Sequence, residues 1–83
     1  MQEIVQDIRV GVIHGPKGRV RPVWFDLNRR QHRICQVTNS WRERQGAAVL
    51  IHFHVSDGGA LYELVYSPTA SEWSLQLIEV LCE

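Results

Sequence analysis

The residues of this 83-residue chain that could do chemistry are few, and His52-Phe53-His54 is the tightest group. On an extended strand these two imidazoles share one face, ~6.6–7 Å apart along the chain, a spacing at which two ligands can share a metal. A zinc site needs a third ligand and usually a fourth. His14, His32 and Cys35 are the candidates, and no Asp or Glu lies nearby in sequence to orient the rings. The plainer expectation is a pair of solvent-facing histidines, so no metal ligand is assigned and no cofactor is expected. Ser40, Ser56, Ser67, Ser71 and Ser74 lack a Gly-x-Ser-x-Gly setting. Cys35, close to Ile34 and Val37, reads as a small buried thiol rather than a nucleophile. Cys82 lies near the C-terminus, and Glu63 and Glu72 have no defined separation. Gly15-Pro16-Lys17-Gly18-Arg19 lacks the length and strand-to-helix context of a phosphate loop and reads as a β-turn. No catalytic residue is assigned, and an enzyme is not expected.

Binding is the stronger signal, because charge is segregated along a chain whose nine basic and nine acidic side chains cancel. Residues 17–44 carry Lys17 and seven arginines against Asp26 and Glu43, a net +6. Residues 45–83 carry Asp57 and four glutamates and no Lys or Arg, a net −5. Arginine offers a planar fork suited to carboxylate or phosphate. The cations either pair across the sheet with the acidic C-terminal strands or stay exposed and meet an acidic partner or a polyanion. Trp24, Phe25 and Trp41 lie inside the basic segment. If Phe25 points into the core, Trp24 points out, since strand neighbours face opposite ways. Aromatic platforms beside cations are what small curved sheets use to bind single strands. The binding residues assigned on this basis are Arg21, Trp24, Arg29, Arg30, Arg33, Trp41, Arg42 and Arg44. Arg30→Ala and Arg33→Ala are expected to alter binding and leave the fold intact.

These side chains must be positioned by strands, because the dominant hydrophobic period is two. Alternation and turn signals predict six strands, at about 4–13, 20–27, 32–41, 47–55, 60–66 and 73–81. Pro22 suggests an edge strand, Asn28-Arg29 a tight turn, Arg42 to Gly46 a polar connection, and Asp57-Gly58-Gly59 a hairpin. Val49, Ile51, Phe53 and Val55 fall on one face of their strand, and Leu50, His52, His54 and Ser56 on the other. The expected fold is all-β: residues 1–83 as a single small domain, an antiparallel meander forming a strongly bent sheet or partly open barrel. Val49, Ile51, Phe53, Leu64, Trp73, Leu75 and Leu77 are the predicted core. A composition of 45% hydrophobic and 22% charged residues argues against disorder. No uncharged apolar run approaches the ~18 residues that span a bilayer, so no membrane partner is expected. No secretory signal is visible, and two widely spaced cysteines suit a cytoplasmic protein with reduced thiols.

Arg21-Pro22-Val23-Trp24-Phe25, Arg29 to Ile34 with Val37, Trp41-Arg42-Glu43, Tyr62-Glu63-Leu64 and Glu72-Trp73-Ser74-Leu75 together resemble a family of small bacterial all-β domains of unknown function. That family occurs as stand-alone short proteins, and similar segments sit at the C-terminal end of proteins related to translesion (Y-family) DNA polymerases. The resemblance spans about residues 20–80. It departs from the family pattern at Asn28-Arg29-Arg30, where a glycine is expected, and at the end, Val80-Leu81-Cys82-Glu83. It supplies no catalytic residues and implies a bacterial accessory module near DNA metabolism. The combined expectation is a non-enzymatic domain, monomer or homodimer, that binds a protein or a single-stranded nucleic acid through the Arg21–Arg44 segment. The alternative is a metal- or small-ligand-binding domain built on His52 and His54.

Overall fold

A computed structural model describes residues 4–81. Eight strands run through them: β1 (Ile4–Gln6), β2 (Val10–His14), β3 (Val20–Leu27), β4 (Arg30–Arg33), β5 (Gln36–Gln45), β6 (Ala48–Ser56), β7 (Ala60–Ser67) and β8 (Glu72–Val80). The fold is all-β and antiparallel, as the alternation predicts. It holds two sheets in place of one bent sheet. A five-stranded sheet has the order β1-β8-β7-β6-β5 and a three-stranded sheet the order β2-β3-β4. They do not close into a barrel.

The two extra strands come from breaks inside expected ones. Asp7 takes a left-handed φ of 59° and ends the pairing of β1 with β8. The chain then crosses to the small sheet, where Val10 opens β2 against Phe25. The expected 32–41 strand breaks at Ile34-Cys35. There Ile34 N–H donates to Val23 and Cys35 N–H to Ser56, one bond to each sheet. The polar stretch Arg42–Gln45 is not a connection. It continues β5, and the turn shrinks to Gly46-Ala47 with φ of 60° at Gly46, the geometry a two-residue hairpin loop requires. Asn28 and Arg29, at φ of 53° and 64°, close the β3–β4 hairpin. Pro22 lies in the middle strand of its sheet, not at an edge. It is tolerated in the half of β3 that β4 does not reach, beside a register shift.

One core joins the sheets. Phe25 from β3, Phe53 and Val55 from β6, Ala60, Tyr62 and Leu64 from β7 and Leu75 from β8 are buried together. Of the predicted core, Phe53, Leu64 and Leu75 are buried, Ile51 and Trp73 pack against its rim, and Val49 is half-buried. Leu77 is 40% exposed. It sits opposite Tyr62 on the inner face of the large sheet, but three strands cannot cover the inner face of five. Cys35 is exposed, not buried, because it lies in the crossing between sheets. Cys82 lies outside the described residues.

Asp57 ties the two sheets together. One oxygen accepts the N–H groups of Gly59 and Ala60, both at 2.9 Å, and shapes the β6–β7 turn. The other accepts His32 Nδ1–H at 2.9 Å. The His32 ring stacks on Phe25 with centroids 5.0 Å apart. Burial alone pushes the Asp57 carboxyl up. The hydrogen bonds from His32, Gly59 and Ala60 outweigh it and hold the group below the usual carboxylate range.

Candidate functional site

His52 and His54 do not face bare solvent. They stand on the outer face of β6, because the next residue in each direction, Phe53 or Val55, enters the core. The β6–β7 register sets His54 opposite Glu63. Glu63 Oε2 accepts from His52 Nδ1 at 3.0 Å and Glu63 Oε1 from His54 Nε2 at 3.1 Å. His52 Nε2 lies 2.8 Å from Glu43 Oε1 on β5. Trp41, opposite His52, stacks on it with centroids 4.9 Å apart and meets His54 edge-on. His52 is only 9% exposed. Burial pushes the Glu63 carboxyl up, and the hydrogen bonds from both histidines overcome this, so it lies below its ordinary value. The orienting carboxylates that the sequence lacks nearby are supplied by neighbouring strands. Among the described residues, no group of three or more His, Cys, Asp or Glu side chains is arranged to hold a metal ion. His52 Nδ1, His52 Nε2 and His54 Nε2 each lie within hydrogen-bond distance of a glutamate oxygen.

The arginines are the opposite case. Among the described residues Arg9 alone has a carboxylate partner, Asp26 at 3.5 Å, and this pair is on the surface. The acidic C-terminal strands do not neutralise the basic segment, since Asp57 and Glu63 are engaged by histidines. Arg21, Arg29, Arg30, Arg33, Arg42 and Arg44 are all exposed.

The assigned residues separate into groups. Phe25 is fully buried, so Trp24 turns to the outer face of the small sheet, as alternation requires. Its indole lies over Gly11 of β2, where a Cβ would collide with it. Arg33 sits directly across on β4, and Arg9 places its guanidinium 5.6 Å from the ring. Arg21, opposite Ile13, lies further along the same strand. Arg9 is a residue that sequence reasoning missed. Its signal is the alternation Ile8-Arg9-Val10, with Ile8 and Val10 against the core. Arg29 occupies the β3–β4 turn tip, and Arg30 pairs with Leu27 at the end of that hairpin.

Arg42 and Arg44 belong to a second place. They lie opposite Ile51 and Val49 on β6, on the face shared with Phe53. Arg42 lines a cleft of about 420 Å³ together with Arg19, Ser40, Ile51 and Phe53. Trp41 is not part of the small sheet's platform, because it stacks on His52 on the other face of β5. The single Arg21–Arg44 surface is therefore two basic surfaces, one around Trp24 and one along β5. The chain matches no family model, no curated protein and no solved structure.

Proposed function

We propose that this chain is a non-enzymatic bacterial accessory module, working in the cytoplasm, that binds an acidic segment of a partner protein through its arginines. The observation that carries this reading is that, among the described residues, the arginines other than Arg9 have no carboxylate partner while Glu43, Asp57 and Glu63 are held by histidines. Guanidinium groups that the fold does not use are available to external carboxylates in bidentate geometry. A net charge of zero suits a protein partner, since dedicated nucleic-acid binders are usually basic overall.

A second reading is single-stranded nucleic acid on the Trp24 surface. What favours it is the indole flanked by Arg9 and Arg33, the pairing of aromatic face and cation on which bases stack. It also agrees with the link to DNA metabolism that the family resemblance implies.

Fluorescence anisotropy with labelled oligoglutamate and labelled oligothymidylate, each at ~50 mM and ~200 mM salt, tests both. A charge contact through several arginines must weaken steeply between these salts. The expected result is salt-sensitive binding of oligoglutamate, weakened by Arg42→Gln with Arg44→Gln. Preference for oligothymidylate, lost with Trp24→Ala, moves the function to the small sheet. No binding of either probe at the lower salt removes the proposal.

A further inference from the structure

The two sheets part along a line that the fold leaves open. β5 is ten residues long, is exposed along nearly its whole length and, among the described residues, pairs with β6 alone. Its free edge presents a row of backbone N–H and C=O groups over ~33 Å. The first half of β3 is also open on one side, because β4 reaches only Trp24–Leu27. Between these segments lies the 420 Å³ cleft. Gly18 and Arg19, from the turn that leads into β3, and Val20, its first residue, line one side, and Ser40, Trp41 and Arg42 of β5 the other. Ser40 and Arg42 lie opposite Phe53 and Ile51, so the cleft covers that face of β5 and β6 and spans from there to the chain entering β3.

We infer that this edge accepts an extended acidic segment of a partner protein as an added strand beside β5. The inference rests on the reading above and gives it a location and a geometry. Backbone pairing supplies affinity, and alternate side chains supply specificity. On the cleft side an added strand meets Arg42 and Arg44, two residues apart, and Arg19 from the opposite bank; none of the three has a carboxylate partner among the described residues. Acidic residues at every second position of the incoming segment match that row. Ile51 and Phe53 give the cleft an apolar floor for short aliphatic side chains. A second copy of the chain fits less well, because antiparallel pairing about Glu43 sets Arg42 against Arg44 across the interface, and like charges directly opposite repel. A nucleic acid offers phosphates to the arginines but no amides to the edge.

The test uses the full chain and a labelled peptide of about ten residues alternating Glu and Thr. A second peptide has the same charges with alternate amides N-methylated, which removes strand pairing. The expected result is about tenfold or more weaker binding of the methylated peptide, with slowed amide exchange along residues 36–45 when the parent peptide is bound. Equal affinity for the two peptides overturns strand addition and leaves arginine-mediated binding standing. Failure of both peptides to bind at ~50 mM salt overturns that reading as well. Sedimentation showing a dimer with residues 36–45 protected in the absence of peptide assigns the edge to a second copy and overturns the inference.

Discussion

On the outer face of β5, β6 and β7, every charge has a counterpart within hydrogen-bond distance: Glu43 and Glu63 flank His52, and Glu63 also holds His54. On the small sheet and along the cleft side of β5, guanidinium groups face water, with Arg9–Asp26 the one arginine pair among the described residues. Both regions belong to a chain with zero net charge. Overall neutrality, then, does not mean self-neutralisation. Strand register decides which opposite charges meet. Here it sets carboxylates against imidazoles and, among the described residues, leaves the arginines other than Arg9 without internal anions.

The largest effects should come from the paired region. Glu63→Gln removes the anion between two imidazoles. It should cost about 2–3 kcal/mol in urea unfolding, the range of hydrogen bonds to charged groups. A loss under about 0.5 kcal/mol would reduce the network to a surface ion pair. Asp57→Ala releases the β6–β7 turn and the link to His32, and should cost about 1–3 kcal/mol. Its mark would be altered NMR shifts for Phe25 and Tyr62, which pack edge to face across the sheets.

Acid should act on the same region. The Glu63 and Asp57 carboxyls lie below their ordinary range when folded. In acid the unfolded chain therefore binds more protons than the folded one, and stability falls as pH drops through the carboxylate range and below it. Above that range this contribution is complete. Urea unfolding from pH 7 downward should show the acid limb, and Glu63→Gln should flatten it. An unchanged limb in the variant would place the acid sensitivity elsewhere.

Substitutions in the unpaired region should be small in stability. Arg9→Ala removes an exposed ion pair and a ring contact and should cost under about 1 kcal/mol. Arg30→Ala and Arg33→Ala should stay within about 0.5 kcal/mol of the parent. Larger losses would show that these side chains hold the small sheet together.

Much of this architecture is legible in the sequence, and the remainder has identifiable causes. Period-two alternation places β3, β6, β7 and β8 within a residue of their observed ends, since each keeps its apolar face through to a turn. The break at Asp7 is silent because a left-handed aspartate carries none of the signal a glycine would. Alternation identifies the inner face of β8 but not how far the small sheet reaches across it, hence the exposed Leu77. The histidine network was within reach. The hairpin about Asp57-Gly58-Gly59 pairs Ser56 with Leu61 and therefore His54 with Glu63, and the Gly46 turn then brings Trp41 to His52. Turn chemistry alone does not give these pairs; the register that follows from each turn does. The division of the arginines into two surfaces was out of reach, because it depends on β4 and β5 joining different sheets.

Equilibrium urea unfolding of a chain with Arg21, Arg33, Arg42 and Arg44 all replaced by glutamine tests the central contrast most directly. Stability within about 1 kcal/mol of the parent at neutral pH is the expected result, because exposed substitutions without internal partners are nearly neutral. A loss of about 3 kcal/mol or more would mean that the arginines are part of the molecule's own electrostatic framework and are not unpaired.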